Sequence, residues 1–242
     1  MRFNGKMDSR ISRIRQNEEK SHIEVYTKEK LYDSDTWLRK PIKTVEELVP
    51  LFADYEEVRI LDLGAGVGRN SIFLAQELKE NNCQIDCVDI LEIAVEILVS
   101  NAEQYDVSGN ISGIIKPIEE YKIQANSYDL IMAISALEHI DTEEHFFDKL
   151  REIELGIRKY GMICLVINTD VTEFNINNGA KIEPNFEVNL PTEVLLKRLD
   201  SIFKDWEILK KNVVQQNYEI PRENIRSSLS TNVVTFVARK NN

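Results

Sequence analysis

Three glycines, each two residues after the last, sit where an apolar strand gives way to a helix, in Ile60-Leu61-Asp62-Leu63-Gly64-Ala65-Gly66-Val67-Gly68-Arg69-Asn70-Ser71. Such a turn lets backbone approach a ligand closely and aims the first N–H groups of a helix at an anion. One strand and one helix later, Asp89 closes the apolar run CQIDCVDI. In doubly wound sheets an acid at that position hydrogen-bonds the hydroxyls of a ribose. The pair predicts an adenosine-containing ligand at the carboxyl ends of parallel strands. It is not a dinucleotide fingerprint: G-x-G-x-x-G would put its third glycine at Arg69, whereas it stands at Gly68. Asp62 adds negative charge where a pyrophosphate would lie, which suits a ligand carrying an amino group instead.

From residue 44 onward, strand-like and helix-like patterns alternate, the signature of parallel strands joined by crossover helices. The spacing predicts helices over 44–52, 69–81, 91–105, 142–160 and 191–203. Strands are predicted over 58–63, 83–90, 110–115, 127–135 and 161–168. Residues 169–190, polar and rich in Asn, read as a long loop. Two further strand-like runs, 206–214 and 231–240, have no helix between them and predict a terminal antiparallel hairpin. The expected fold is a doubly wound, Rossmann-like α/β sheet of seven mostly parallel strands, ending in that hairpin and preceded by a helical lid. The expected division is an N-terminal segment, 1–43, and a domain over 44–242.

Charge narrows the partners. The 242-residue chain carries a formal net charge of −11, spread as +4 over residues 1–43 and −15 over the rest. An acidic body repels a phosphate backbone, so DNA is excluded as a partner and RNA is disfavoured. No apolar run approaches the roughly 18–20 residues of a membrane span. The Arg-rich start MRFNGKMDSRISRIR is read as a solvated helix rather than a presequence, given Asp8, Gly5 and only Ile11 and Ile14 as an apolar stripe. A cytoplasmic location is expected. Cys83 and Cys87 lie about 13 Å apart along one strand, too far for a disulfide. With Cys164 and three histidines they give no metal-site spacing, and no metal is expected.

LDLGAGVGRNS, then VDI, then SYDLIMAISALEHI resemble the first, second and fourth motifs of the class I S-adenosylmethionine-dependent methyltransferases. Within them, GRNS and the ending FVARK are similar to the tellurite-resistance methyltransferases and related small-molecule enzymes. The resemblance implies S-adenosylmethionine as cofactor. It implies that Gly64, Ala65 and Gly66 lie against its methionyl part, that Asp89 takes the ribose hydroxyls and that Ile90 packs on the adenine. Ala133 and Ile134 would meet the amino-acid end through backbone. Where the family often has an acid to read the adenine amino group, this chain has Pro117, which passes that work to the Ile118 backbone or to Glu119.

Methyl transfer from a sulfonium is an in-line displacement, for which positioning and exclusion of water supply much of the catalysis. The sequence agrees in showing no G-x-S-x-G elbow and no H-E-x-x-H. It also lacks the Asn/Asp-Pro-Pro-aromatic run of amino-directed nucleic-acid methyltransferases. His139 is the one histidine near the expected cofactor; it serves either as a general base or as a structural helix entry. Tyr26, Trp37 and Arg39 precede the domain and either fold over the cofactor as a lid or pack the N-terminal helix onto the sheet. The expected activity is methyl transfer to a small molecule, with metalloid oxyanions and other soft nucleophiles among the candidates. Protein or RNA methylation, and a non-catalytic cofactor-binding role, are the alternatives. Oligomeric state is not legible.

Overall fold

The computed structural model describes residues 9–34, 36–222 and 225–241, without the side chains of residues 221 and 222. The first eight residues, and with them Gly5 and Asp8, lie outside the described part. Helix α1 spans Ser9–Lys28 and a single helical turn, α2, spans Lys43–Glu46. The chain then alternates β1 (Arg59–Leu63), α3 (Arg69–Glu77), β2 (Gln84–Asp89), α4 (Glu92–Gln104) and β3 (Ile111–Ile115). It continues with β4 (Tyr128–Ile134), α5 (Glu143–Gly156), β5 (Ile157–Asn175) and β6 (Lys181–Ile182). Helix α6 (Thr192–Ile202) leads into the hairpin β7 (Glu207–Arg222) and β8 (Ile225–Arg239).

The sheet order is β3-β2-β1-β4-β5-β8-β7, with β6 pairing β5 off that path. β1 to β5 are mutually parallel where they adjoin, and β8 inserts antiparallel between β5 and β7. The seven strands of that path form the expected mostly parallel arrangement with a terminal hairpin, and the two-residue β6 is an eighth that was not expected. Alternation along β1 and β4 feeds two cores. Leu61, Leu63, Ile131 and Ala133 face the layer that contains Phe146, Leu150, Ile153 and Phe203. Ile60, Leu130 and Met132 face the opposite layer, with Leu74, Leu98 and Phe52. Tyr26, Leu31 and Leu38 of the N-terminal segment belong to that second core. No helix among the described residues is long and apolar enough to cross a membrane.

Three elements differ from expectation, each for a physical reason. The helix over 44–52 is only α2 followed by a 3-10 turn at Val49–Phe52. Pro50 has no N–H to give the turn before it, and its ring crowds that turn. The helix over 142–160 stops at Gly156, because Ile157 pairs with Tyr128 and starts β5. The loop over 169–190 is strand as far as Asn175, since β5 runs on to pair with Ser227–Asn232 of β8. Thr169, Val171 and Glu173 alternate inward there and all are buried. A buried Glu173, accepting a hydrogen bond from the Ser227 hydroxyl at 2.5 Å, disguises the period of two as polar loop. The hairpin is correspondingly longer than 206–214 and 231–240.

Gly68, the residue before α3, has φ of 91°, a left-handed conformation in which a side chain is strained. A Cβ there would stand 2.5 Å from Leu98 Cδ1 and 3.0 Å from Ile72 Cγ1. Gly68→Ala is expected to cost about 2 kcal/mol through left-handed strain and crowding. Urea denaturation should show a lowered midpoint with an unchanged slope.

Candidate active site

At the carboxyl ends of β1, β2 and β4 the structure contains a cavity of about 670 Å³. Its floor is the glycine turn. The Gly64 and Ala65 N–H groups donate to Val88 O at 2.8 and 3.1 Å, stitching the turn to β2. Asp89 Oδ2 accepts the Gly66 N–H at 2.8 Å and Oδ1 accepts the Leu91 N–H at 2.9 Å. Burial pushes the Asp89 carboxyl above the usual range, and these two N–H groups oppose that. A carboxylate has about four acceptor positions, so two remain for a ligand.

Of the residues singled out in the sequence, Gly64, Ala65, Gly66, Asp89, Ile90, Ile118, Glu119, Tyr26, Trp37 and His139 all line this cavity. Ala133 does not: it is fully buried and points into the core, and the chain reaches the cavity only at Ile134, Ser135 and Ala136. Arg39 does not either. Leu38 is the anchored residue there, 1% exposed, and Arg39 turns outward. Asp62, expected to face the ligand, is 2% exposed beneath the turn and accepts the Ser71 hydroxyl at 2.5 Å. Burial raises its carboxyl to about 7.

The roof is α1. Arg15, Glu18, His22 and Tyr26 recur every three or four residues, so one helix face delivers all four into the cavity. A Cβ on Gly66 would meet the Tyr26 hydroxyl at 2.9 Å, which places that hydroxyl directly over the turn. His22 stacks on Tyr26, with centroids 5.2 Å apart, and lies 3.4 Å from Glu18. Arg10 and Arg13 both pair with Glu183, and Arg10 also donates to Phe186 O and Glu187 O. Arg15 binds Glu119 at 2.5 Å and approaches Glu187 at 3.5 Å. Segment 183–187 and α1 are thereby closed together across the mouth. Glu119, a candidate for the adenine contact, has its carboxylate committed to Arg15.

His139 Nδ1 lies 3.0 Å from Glu187 Oε2, and its ring stacks on Phe186 at 5.3 Å. Burial alone lowers its pKa. The Glu187 hydrogen bond and the charges of Glu138, Glu187 and Glu18 overcome that and raise it to about 9. A raised pKa favours the imidazolium at neutral pH, in which Nδ1 donates to Glu187.

Residues 60–153 match the family model described as a methyltransferase domain. That stretch of the chain is a methyltransferase domain. Over 115 residues it is 30% identical to N-terminal Xaa-Pro-Lys N-methyltransferase 1 of Xenopus tropicalis, covering 47% of each chain. The chain spans less than half the length of the curated relatives it matches. Its fold is that of TehB from Haemophilus influenzae, with a TM-score of 0.64 and 21% identity, over 86% of this chain and 64% of that one. It is also that of 1,6-didemethyltoxoflavin-N1-methyltransferase from Burkholderia thailandensis, solved with 1,6-didemethyltoxoflavin and S-adenosylhomocysteine (TM-score 0.56, 14% identity, 96% and 90% of the two chains). The cofactor of the methyltransferase domain is S-adenosylmethionine. The cavity suits it in size, in the open acceptor positions of Asp89 and in a floor where Gly64 and Gly66 present backbone rather than side chains.

Arg15, Glu18, His22, Arg69 and Glu187 were not legible as site residues. For the first three a signal existed, in the 3-4-4 spacing with Tyr26, but polar residues on an inner helix face look like a solvated face. Because the His139 pKa is raised, its pairing with Glu187 stabilises the fold fully below about 6.5 and fades as pH rises through about 9. NMR titration should place the His139 midpoint near 9, and Glu187→Gln should move it down towards the ordinary histidine range.

Proposed function

We propose that this chain transfers the methyl group of S-adenosylmethionine to a small-molecule acceptor enclosed between the glycine turn and the α1 roof. One observation carries the reading. The cavity that suits the cofactor is closed above by α1 and segment 183–187, within the size range of small-molecule sites. When bound, the cofactor supplies an electrophilic methyl on a sulfonium. The residues of the chain do the rest: Asp89 and the turn through Gly66 hold the ligand, Ile90 and Ile118 flank its base, and Tyr26 and Trp37 exclude water from above. His139, held as a cation by Glu187, orients and shields. It does not take a proton from the acceptor, which favours an acceptor that arrives with a free lone pair, as soft sulfur, selenium or tellurium nucleophiles do. In this reading residues 1–43 are a lid on the domain formed by 44–242, and the protein works in the cytoplasm.

The N-terminal residues need not be lid or core alone. Leu31 and Leu38 are buried, Trp37 is half exposed on the cavity wall, and Tyr26 does both. Protein methylation is the second reading, favoured by the frog relative, an N-terminal Xaa-Pro-Lys N-methyltransferase. It requires the ion pairs of Arg10, Arg13 and Arg15 to open for a peptide end. Turnover to S-adenosylhomocysteine, assayed against a metabolite panel and a peptide panel, separates the two readings; none with either points to a binding protein.

S-adenosylmethionine at a hundred times its dissociation constant is expected to stabilise the chain by roughly 2.7 kcal/mol, and NAD by nothing. A thermal shift with NAD alone would reverse the cofactor assignment. Asp89→Ala removes charged acceptors worth about 1.5–3 kcal/mol each at most, so calorimetry should show affinity for S-adenosylhomocysteine reduced at least about tenfold.

A further inference from the structure

An open sheet has two edges, and each presents unpaired N–H and C=O groups that another strand can use. One edge of this sheet is β3, only five residues long. The other is β7, which runs for 16 residues and, among the described residues, pairs with β8 alone. The devices that usually blunt an edge are confined to its two ends. A bulge between Ile208 and Lys210, with Lys210 and Lys211 themselves, guards the base, and Pro221 stands near the tip. Between them the run Asn212–Tyr218, NVVQQNY, holds no charge, no proline and no bulge. Among the described residues its side chains hydrogen-bond only within the hairpin, Gln215 to Ser230 and Tyr218 to Gln216. Val213, Val214 and Tyr218 are all exposed.

The charges that flank this run make it complementary to itself. Paired residues of antiparallel strands share a face, so an edge that meets a copy of itself about a two-fold axis pairs only residues of like parity. With Gln215 on the axis, Lys211 of each copy stands opposite Glu219 of the other, once at each end of the overlap. Val214 then faces Gln216, and the two Val214 side chains become diagonal neighbours, each also diagonal to the other copy's Tyr218. A slip of two residues either way parts Lys211 from Glu219 and sets it opposite Asn217 or Pro221. Lys211 and Glu219 already have partners in their own chain, Asp200 and Arg226, and a second copy extends each pair into a network. We propose that β7 pairs antiparallel with β7 of a second copy of this chain, centred on Gln215, so that the two sheets become one. An overlap of residues 211–219 supplies about eight to ten main-chain hydrogen bonds between the copies. The matched charges select a second copy over a foreign strand. The inference does not depend on the reaction proposed above.

The test is sedimentation of the full chain over a range of concentrations, with circular dichroism to show that each variant is folded. The unaltered chain should be dimeric at roughly 100 μM. Val214→Lys alters an exposed side chain and sets two like charges diagonally across the axis, so it should leave a folded monomer. Lys211→Glu places a second carboxylate opposite Glu219 at both ends and should weaken the dimer at least about tenfold. Adding Glu219→Lys to Lys211→Glu should restore it, a recovery that mere damage to the hairpin would not show. A chain that is monomeric at every concentration would overturn the proposal and leave the edge to a foreign strand or to solvent. A dimer that Val214→Lys does not dissociate would place the contact on another surface and overturn it as well. A dimer that Val214→Lys dissociates, but that the single charge reversal does not weaken or the double exchange does not restore, would overturn the register and the self-pairing with it.

Discussion

The carboxylate of Asp89 holds the site together before any ligand arrives. By accepting the N–H groups of Gly66 and Leu91, it joins the glycine turn after β1 to the start of α4. The turn cannot relax away from it, because Gly64 and Ala65 are tied to Val88 on the same strand. Three left-handed glycines let the backbone make this bend at low cost, and a Cβ on any of them would run into a neighbour, Ala136 for Gly64, Tyr26 for Gly66 and Leu98 for Gly68. Beneath the turn, the Asp62–Ser71 hydrogen bond fixes the entry to α3 from the other side. Two acids of this segment thus have opposite tasks. Asp62 is sealed in and tends towards its protonated form, while Asp89 keeps acceptor positions open to the cavity.

The roof is built by different physics. α1 offers few apolar residues to the body, with Ile11, Ile14 and Tyr26 buried. Beyond these, it is tied down by Arg10, Arg13 and Arg15 on the acidic segment 183–187 and on Glu119. The opposite net charges of residues 1–43 and 44–242 are, at this contact, a docking device. Exposed ion pairs contribute little each, about 0–1 kcal/mol. A helix held by three apolar side chains and a few ion pairs opens more readily than one built into the sheet's core, which is a useful property for a cover over a site that must exchange ligands.

What the sequence made legible follows from the range of the interactions involved. The strand–turn–helix of Ile60–Ser71 and the acid at Asp89 are local patterns whose geometry backbone conformation alone imposes, and both are where they were expected. The cavity wall was harder to read because it is made between segments distant in sequence. Arg39 and Arg69 are equally plausible cations in one dimension; only the burial of Leu38 turns the first outward and only the turn at Gly68 aims the second inward. Ala133 illustrates the same limit at the scale of one residue, since whether a strand end faces core or ligand depends on where the chain leaves the sheet. Glu173 and Pro50 show how a single residue, buried or without an N–H, can hide the period of the element that contains it.

Charge is the property on which site and mechanism meet. The cavity wall carries the carboxylates of Glu18, Glu19, Asp89, Glu92, Glu119 and Glu187, against Arg15, Arg69 and a protonated His139. An acidic wall draws in a cationic ligand but also steadies it in its ground state, which by itself slows a reaction that discharges the cation. The cations limit that effect because they are placed among the acids rather than apart from them. Arg15 takes up Glu119 and part of Glu187, and His139 takes up the rest of Glu187. Glu18 lies against His22, and Asp89 is satisfied by backbone N–H groups, which leaves Glu19 and Glu92. Long-range attraction therefore remains for capture of a cationic ligand, while His139 and Arg15 offset part of the acid on the inner wall. Protonation of His139 is integral to this balance. Were the ring neutral, Glu187 and the fully buried Glu138 would lose their nearest cation, and the inner wall would hold the charged ligand more tightly than its discharged product.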